Sequence, residues 1–181
     1  MQDFEPAPFK LVIEDAKKVV AYATKTLTIK LGDGIGVGKP EITDELITLN
    51  GWKAKSESCE TFWLSLHDKL EEWQDKNDYY LLPPGKSKPR LAPDMTVIPE
   101  APHYLFSFCK TNRNPYDLVI TALLIVAKHH LGDALFLGSD GDEKEWEPAK
   151  KLCQVVLGYG GDFSIETESK RSERLVSQRN R

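Results

Sequence analysis

The chain has 181 residues, of which 40% are hydrophobic, 9% aromatic and 29% charged, with a net charge of −4. That size and apolar content suit a soluble globular protein, and the ordinary charge points to neither nucleic acid nor a membrane surface. Three unclustered cysteines, Cys59, Cys109 and Cys153, argue against a disulfide framework and read as small buried hydrophobes in a reducing, cytoplasmic setting. The opening MQDFEPAPFK lacks the basic and apolar regions of a signal peptide. The longest apolar run, Leu118 to Ala127 broken by Thr121, is about half of the roughly 20 residues that a bilayer-spanning helix needs.

After Pro8, Val12, Ala16, Val19, Val20 and Ala23 recur at helical spacing and predict an amphipathic helix. Leu27, Ile29 and Leu31 alternate with Thr28 and Lys30, which predicts a half-buried strand over 26–31. The glycine-rich GDGIGVGKP connects it to a second strand, Glu45 to Leu49, expected to pair antiparallel with the first, and Asn50-Gly51 reads as a turn. Ser56 or Ser58 is placed to cap a second amphipathic helix carrying Cys59, Phe62, Leu66, Leu70 and Trp73. Six prolines between Pro83 and Pro102 exclude a helix or a central strand there and predict an extended strap over 82–102.

From Tyr104 the pattern becomes strand, helix, strand. Tyr104 to Cys109 is the first strand; Asn114, Pro115 and Asp117 form a helix start, Gly132 a stop, and Ala134 to Leu137 the second strand. A third helix with Trp146, Leu152, Val155 and Val156 is expected to enter at Pro148 and to stop at GYGG, and Asp162 to Glu166 completes a βαβαβ unit. Two strands joined by such a helix are expected to be parallel with a right-handed crossover. The fold class is therefore α+β or small α/β: a parallel C-terminal βαβαβ unit with an N-terminal helix, two short strands and an amphipathic helix. Residues 1–168 are read as one globular domain that includes the strap, and 169–181 as a flexible tail with five basic residues and one acid.

Parallel strands place their C-terminal ends at one sheet edge, where helix N-termini favour anions. There the sequence puts Lys110, Thr111, Asn112 and Arg113 as ligand-binding residues, with Arg113 able to grip a phosphate or carboxylate through two donors. The second loop supplies Asp140 and Asp142 as candidate catalytic carboxylates, able to activate water or to seat a divalent cation such as Mg²⁺. The plainer reading is that these residues make only turns, caps and surface ion pairs.

Other motifs fail on spacing. A phosphate loop ending in Gly38-Lys39 would need glycine at position 33 and serine or threonine at 40, but these are Asp33 and Pro40. Cys109 and Arg113 are too close for a cysteine phosphatase loop. His129 and His130 are adjacent, so they do not share a helix face as metal ligands would. Two functions remain: a small protein that binds an anionic, phosphate-type ligand at the 110–113 edge, or a noncatalytic module that engages a protein or nucleic acid through the strap, exposed aromatics or basic tail. The acidic body weighs against nucleic acid, and no membrane partner is expected.

Overall fold

The computed structural model describes residues 4–67, 90–91, 97–98, 109–135 and 137–165. The chain divides into two units. One comprises Phe4–Leu66 and Phe108–Ile165; the other comprises Met1–Asp3, His67–Ser107 and Glu166–Arg181. In the second unit the described residues form one antiparallel pair, β5 (Arg90–Leu91) with β6 (Val97–Ile98), in register Arg90 to Ile98 and Leu91 to Val97. The proline-rich strap otherwise lies outside the described residues, as do residues 68–73 of the expected second helix, the first five residues of the Tyr104 strand, and the basic tail.

The first unit is mixed helix and sheet. Helix α1 (Pro6–Lys25) starts with proline at its first position, where the fixed φ suits a helix and no intrahelical N–H is lost. Its buried apolar face is Phe9, Val12, Ile13, Ala16, Val19 and Ala23, the expected stripe with Phe9 and Ile13 added and Val20 only partly buried. Helix α2 (Asp117–Leu131) buries Val119, Ile120, Ala122, Leu123, Ile125, Val126, Ala127 and Leu131, too many positions for a single face. A helix apolar nearly all round belongs in the interior, and α2 packs against both α1 and α3 (Glu143–Leu157). The N-terminal turn of α3 is closed by a capping box: Asp142 accepts from Lys144 N and Glu145 N, while Glu145 accepts from Asp142 N. The helix therefore begins five residues before Pro148, which lies inside it. Gly158, at φ 82°, stops it in the left-handed region that glycine adopts without strain.

The sheet is antiparallel and centred on β3 (Leu46–Gly51). β4 (Phe62–Ser65) runs along Leu46 to Leu49, β2 (Glu41–Ile42) pairs with Thr48 and Ile47, and β1 (Leu31–Gly32) pairs with Gly51 and Asn50. Ile47, Leu49 and Phe62 face the core, whereas Thr48 and Trp63 are cross-strand partners on the outer face. The expected antiparallel pairing of 26–31 with 45–49 is reduced to Leu31–Gly32 against Asn50–Gly51, just beyond the expected second strand.

Several expectations change. Residues 26–30 are not a strand: Thr26 N and Leu27 N both bond to Tyr22 O, Ile29 N bonds to Ala23 O, and Thr28 adopts φ 57°. The chain is wrapped back over the end of α1, leaving only Leu31–Gly32 to pair. Asn50-Gly51 is not a turn but the buried end of β3, where a Cβ on Gly51 would collide with Glu57 O. The described part of the expected second helix contains strand β4, because Phe62, Leu64 and Leu66 also satisfy a period of two; Phe62 and Leu64 pair with Leu49 and Ile47 of β3, and Leu66 N bonds to Glu45 O just before it. Pro148 is not the entry of α3. Residues 162–165 carry no strand. In the parallel C-terminal unit, Ala134 belongs to a 3-10 turn (Gly132–Ala134), and neither Cys109, Leu135 nor Leu137 is assigned to a strand.

Candidate functional site

The 110–113 loop is built from backbone bonds. Glu60 N donates to Lys110 O at 3.1 Å, and Lys110 N donates to the Glu60 carboxylate at 2.7 Å. Thr111 O accepts from Asn114 N, closing a turn whose central residues, Asn112 and Arg113, have φ 52° and 54°. Two successive left-handed residues make this a turn of the I′ kind, which asparagine tolerates and arginine does not favour. The Thr111 hydroxyl donates to Asp117 Oδ1 in the first turn of α2. Helix α2 thus begins at Asp117, with Tyr116 rather than Asn114 at its cap, while Asn114 O accepts from Asp117 N. Tyr116 is fully buried, and its hydroxyl donates to Glu60 O (3.0 Å) and Lys110 O (3.3 Å), fixing the loop from beneath.

The second loop and the start of α3 meet the first loop at Arg113. Arg113 forms an ion pair with Glu145, the residue that completes the α3 capping box. Asp142 sits below this pair with Oδ1 accepting Lys144 N (2.9 Å) and Glu145 N (3.1 Å), so its carboxylate is engaged as a cap. Asp140 is exposed in the preceding bend, and Ser139 Oγ accepts from Gly141 N at 3.0 Å. The two sequence-predicted clusters are therefore adjacent, but the partner of Arg113 is Glu145 rather than Asp140 or Asp142. Among the described residues no group of three His, Cys, Asp or Glu side chains could hold a metal ion.

Cys153 is buried as expected and Cys109 partly so. Cys59 is exposed rather than buried. Burial, then the charges of Glu60, Cys59 and Asp117, pushes the Cys109 thiol up to about 12, so Lys110 does not activate it. Burial likewise pushes Cys153 up to about 12, and its thiol donates to Ala122 O.

The sequence reading missed a second cluster. Asp15 on α1, 9% exposed, accepts at Oδ2 from Tyr159 Oη (2.7 Å) and His130 Nε2 (2.8 Å), and at Oδ1 from Lys18 Nζ (2.7 Å). Burial alone would raise this carboxyl, but the Lys18, His130 and Tyr159 donors outweigh it and hold the pKa at about 2. An ionised Asp15 fixes the His130 tautomer with its proton on Nε2. The His129 ring stacks on Tyr159 at 3.8 Å between centroids. Gly160, at φ 89° and packed against Cys153 and Ile125, sets the bend that presents Tyr159. The imidazole is oriented as in an acid–base pair, yet its tyrosine neighbour gives its proton to Asp15 and no serine, threonine or cysteine bonds to it among the described residues. The arrangement ties α1, the end of α2 and the segment after α3 together.

Among the described residues no helix is long and apolar enough to cross a membrane. No family model matches this chain, and neither a curated protein nor a solved structure matches it.

Proposed function

We propose that the chain binds a small anionic, phosphate-type ligand at the 110–113 loop, with the Arg113 guanidinium as its principal contact. The observation that carries this reading is the conformation of Arg113 itself. A non-glycine residue at φ 54°, in sequence with Asn112 at φ 52°, holds a guanidinium that is 79% exposed directly above a helix N-terminal turn. Left-handed arginine costs roughly 1 kcal/mol or more, and such strain concentrates at binding sites. Glu145 places a carboxylate on the guanidinium fork, which is the chemistry that a ligand carboxylate or phosphate would take over.

Lys110, Thr111 and Asn112 complete the ligand loop in this proposal. Asp142 acts by fixing Glu145 and the α3 N-terminus, and Asp140 is the carboxylate left for water activation or for a divalent cation such as Mg²⁺. The parallel C-terminal unit belongs to the same proposal, because a parallel pair ending near Cys109 and Leu137 would deliver both loops to one edge, and the Arg113 to Glu145 contact agrees with that.

The test is thermal shift with inorganic phosphate and nucleotides. Phosphate is expected to raise Tm in the wild type and not in Arg113→Ala. Because Glu145 competes with the ligand, Glu145→Gln, which retains a capping-box residue, is expected to strengthen binding several-fold. If phosphate and nucleotides leave the wild-type Tm unmoved, or if Arg113→Ala binds unchanged, the proposal fails.

The second reading, a noncatalytic module for a protein partner, is favoured by one observation. Trp63 is 41% exposed on the outer sheet face, and Ile35 and Val37 are 70% and 53% exposed on the preceding loop. Pull-down that Trp63→Ala abolishes, without any anion effect, would favour it.

A further inference from the structure

Cys59 and Glu60 are held between two neighbours. On one side, Cys59 N donates to Asn50 Oδ1 and Cys59 O accepts from Asn50 Nδ2, both at 3.1 Å. On the other, Glu60 N donates to Lys110 O, and Glu60 O accepts from the Cys109 thiol at 3.5 Å and from Tyr116 Oη at 3.0 Å. The Cys109 sulfur therefore contacts the residue adjoining Cys59, whose Cα lies about 3.8 Å from that of Glu60. One thiol is exposed and the other partly buried.

We propose that Cys59 and Cys109 are a two-thiol oxidation site for a peroxide, in which exposed Cys59 reacts first and Cys109 resolves it to an intramolecular disulfide. The Cys59 thiolate attacks one peroxide oxygen, the O–O bond breaks, and the hydroxide released takes the proton that Cys59 gave up. The Cys109 sulfur then attacks the sulfenic sulfur; the S–S bond forms, the S–O bond breaks, and hydroxide leaves as water with the Cys109 proton. Two thiols lose two electrons and one hydrogen peroxide becomes two waters. The order of the steps follows from exposure: Cys59 is the thiol open to peroxide, whereas burial and the neighbouring Glu60 disfavour the thiolate form of Cys109, whose proton leaves with the hydroxide as its sulfur attacks. The bond would join the 57–61 loop to the segment that enters α2 and close a loop over everything between.

The full-length protein is treated with one equivalent of hydrogen peroxide and followed by intact mass and non-reducing peptide mapping. The expected product has lost about 2 Da, with one Cys59–Cys109 linked peptide and Cys153 alone remaining as a free thiol. Cys59→Ser is expected to block the reaction, and Cys109→Ser to stop it at a sulfenic acid on Cys59 that dimedone traps. Oxygen additions on Cys59 with Cys109 still free, a Cys59–Cys59 dimer, or an unchanged mass would each overturn the proposal. The wild-type map decides this even where Cys109→Ser fails to fold.

Discussion

Asp15, Asn50 and Lys150 are buried polar side chains, and each is surrounded by partners rather than left alone. Lys150 bonds Glu143 (3.0 Å) and Glu147 (2.9 Å), and Asn50 uses both ends of its amide to hold Gly34, Gly51 and Cys59. A satisfied group of this kind becomes a liability once a partner is removed or neutralised. For Asp15 the consequence depends on pH. Its folded pKa, about 2, lies below the ordinary 3.8, so its contribution is complete above pH 4 and is lost as pH falls toward 2. The size is about 2 kcal/mol. Urea unfolding across pH 2 to 7 is expected to show this loss in the wild type, and Asp15→Asn is expected to be less stable at pH 7 with a flatter profile between pH 4 and 2. Equal slopes for the two proteins would show that Asp15 carries no such linkage.

At the level of elements, α3 contains its own experiment. Pro148 has no N–H to offer Lys144 O, and its ring crowds the preceding turn, a penalty near 3 kcal/mol for an unrelieved interior proline. Pro148→Ala is expected to stabilise the protein by roughly 1 kcal/mol, less than the full penalty because proline also restricts the unfolded chain. A lower denaturation midpoint in Pro148→Ala would mean that the helix is already bent to accommodate the ring. Helices α1 and α3 were legible in the sequence because their apolar residues recur at helical spacing, and α2 because its long apolar run lies between the start signals at Asn114 to Asp117 and the stop at Gly132. β4 was not, because Phe62 and Leu66 fit a helical spacing as well as an alternating one, and pairing with β3 decided between them. The strand expected at 26–31 failed for a local reason: alternation of Leu27, Ile29 and Leu31 says nothing about Thr28 turning left-handed over the end of α1. Of the candidate site, the meeting of the two loops could be anticipated, but Glu145 as the partner of Arg113 depends on the capping box that orients it. The Asp15 cluster gave no signal, since His130 and Tyr159 stand 115 and 144 residues from it along the chain.

Within the larger unit, the interior is organised by α2, whose buried residues face α1 on one side and α3 on the other. Removing volume from it leaves a cavity that neighbours on both sides cannot fill together. Leu123→Ala is accordingly expected to cost about 2–5 kcal/mol, seen as a lower urea midpoint, whereas Val155→Ala on the exposed face of α3 is expected to change it little. Similar losses at the two positions would contradict the central placing of α2. The two substitutions should add when combined, because they share no packing partners on a common face.

The glycine-rich loop before β2 also bears on ligands. Asp33 Oδ1 accepts from Ile35 N and Val37 N at 3.1 Å each, and these backbone donors hold its pKa below the ordinary value. The loop thus encloses a carboxylate in the way a phosphate loop encloses a phosphate, but the anion is covalently part of the chain. A tethered group acts at an effective concentration set by its short connection, far above what a free anion reaches in solution. Competition, and not only the absence of a motif, therefore closes this loop to outside anions. At Arg113 the competing carboxylate, Glu145, lies on helix α3, so the tether is longer and a ligand of the kind proposed would meet a weaker rival.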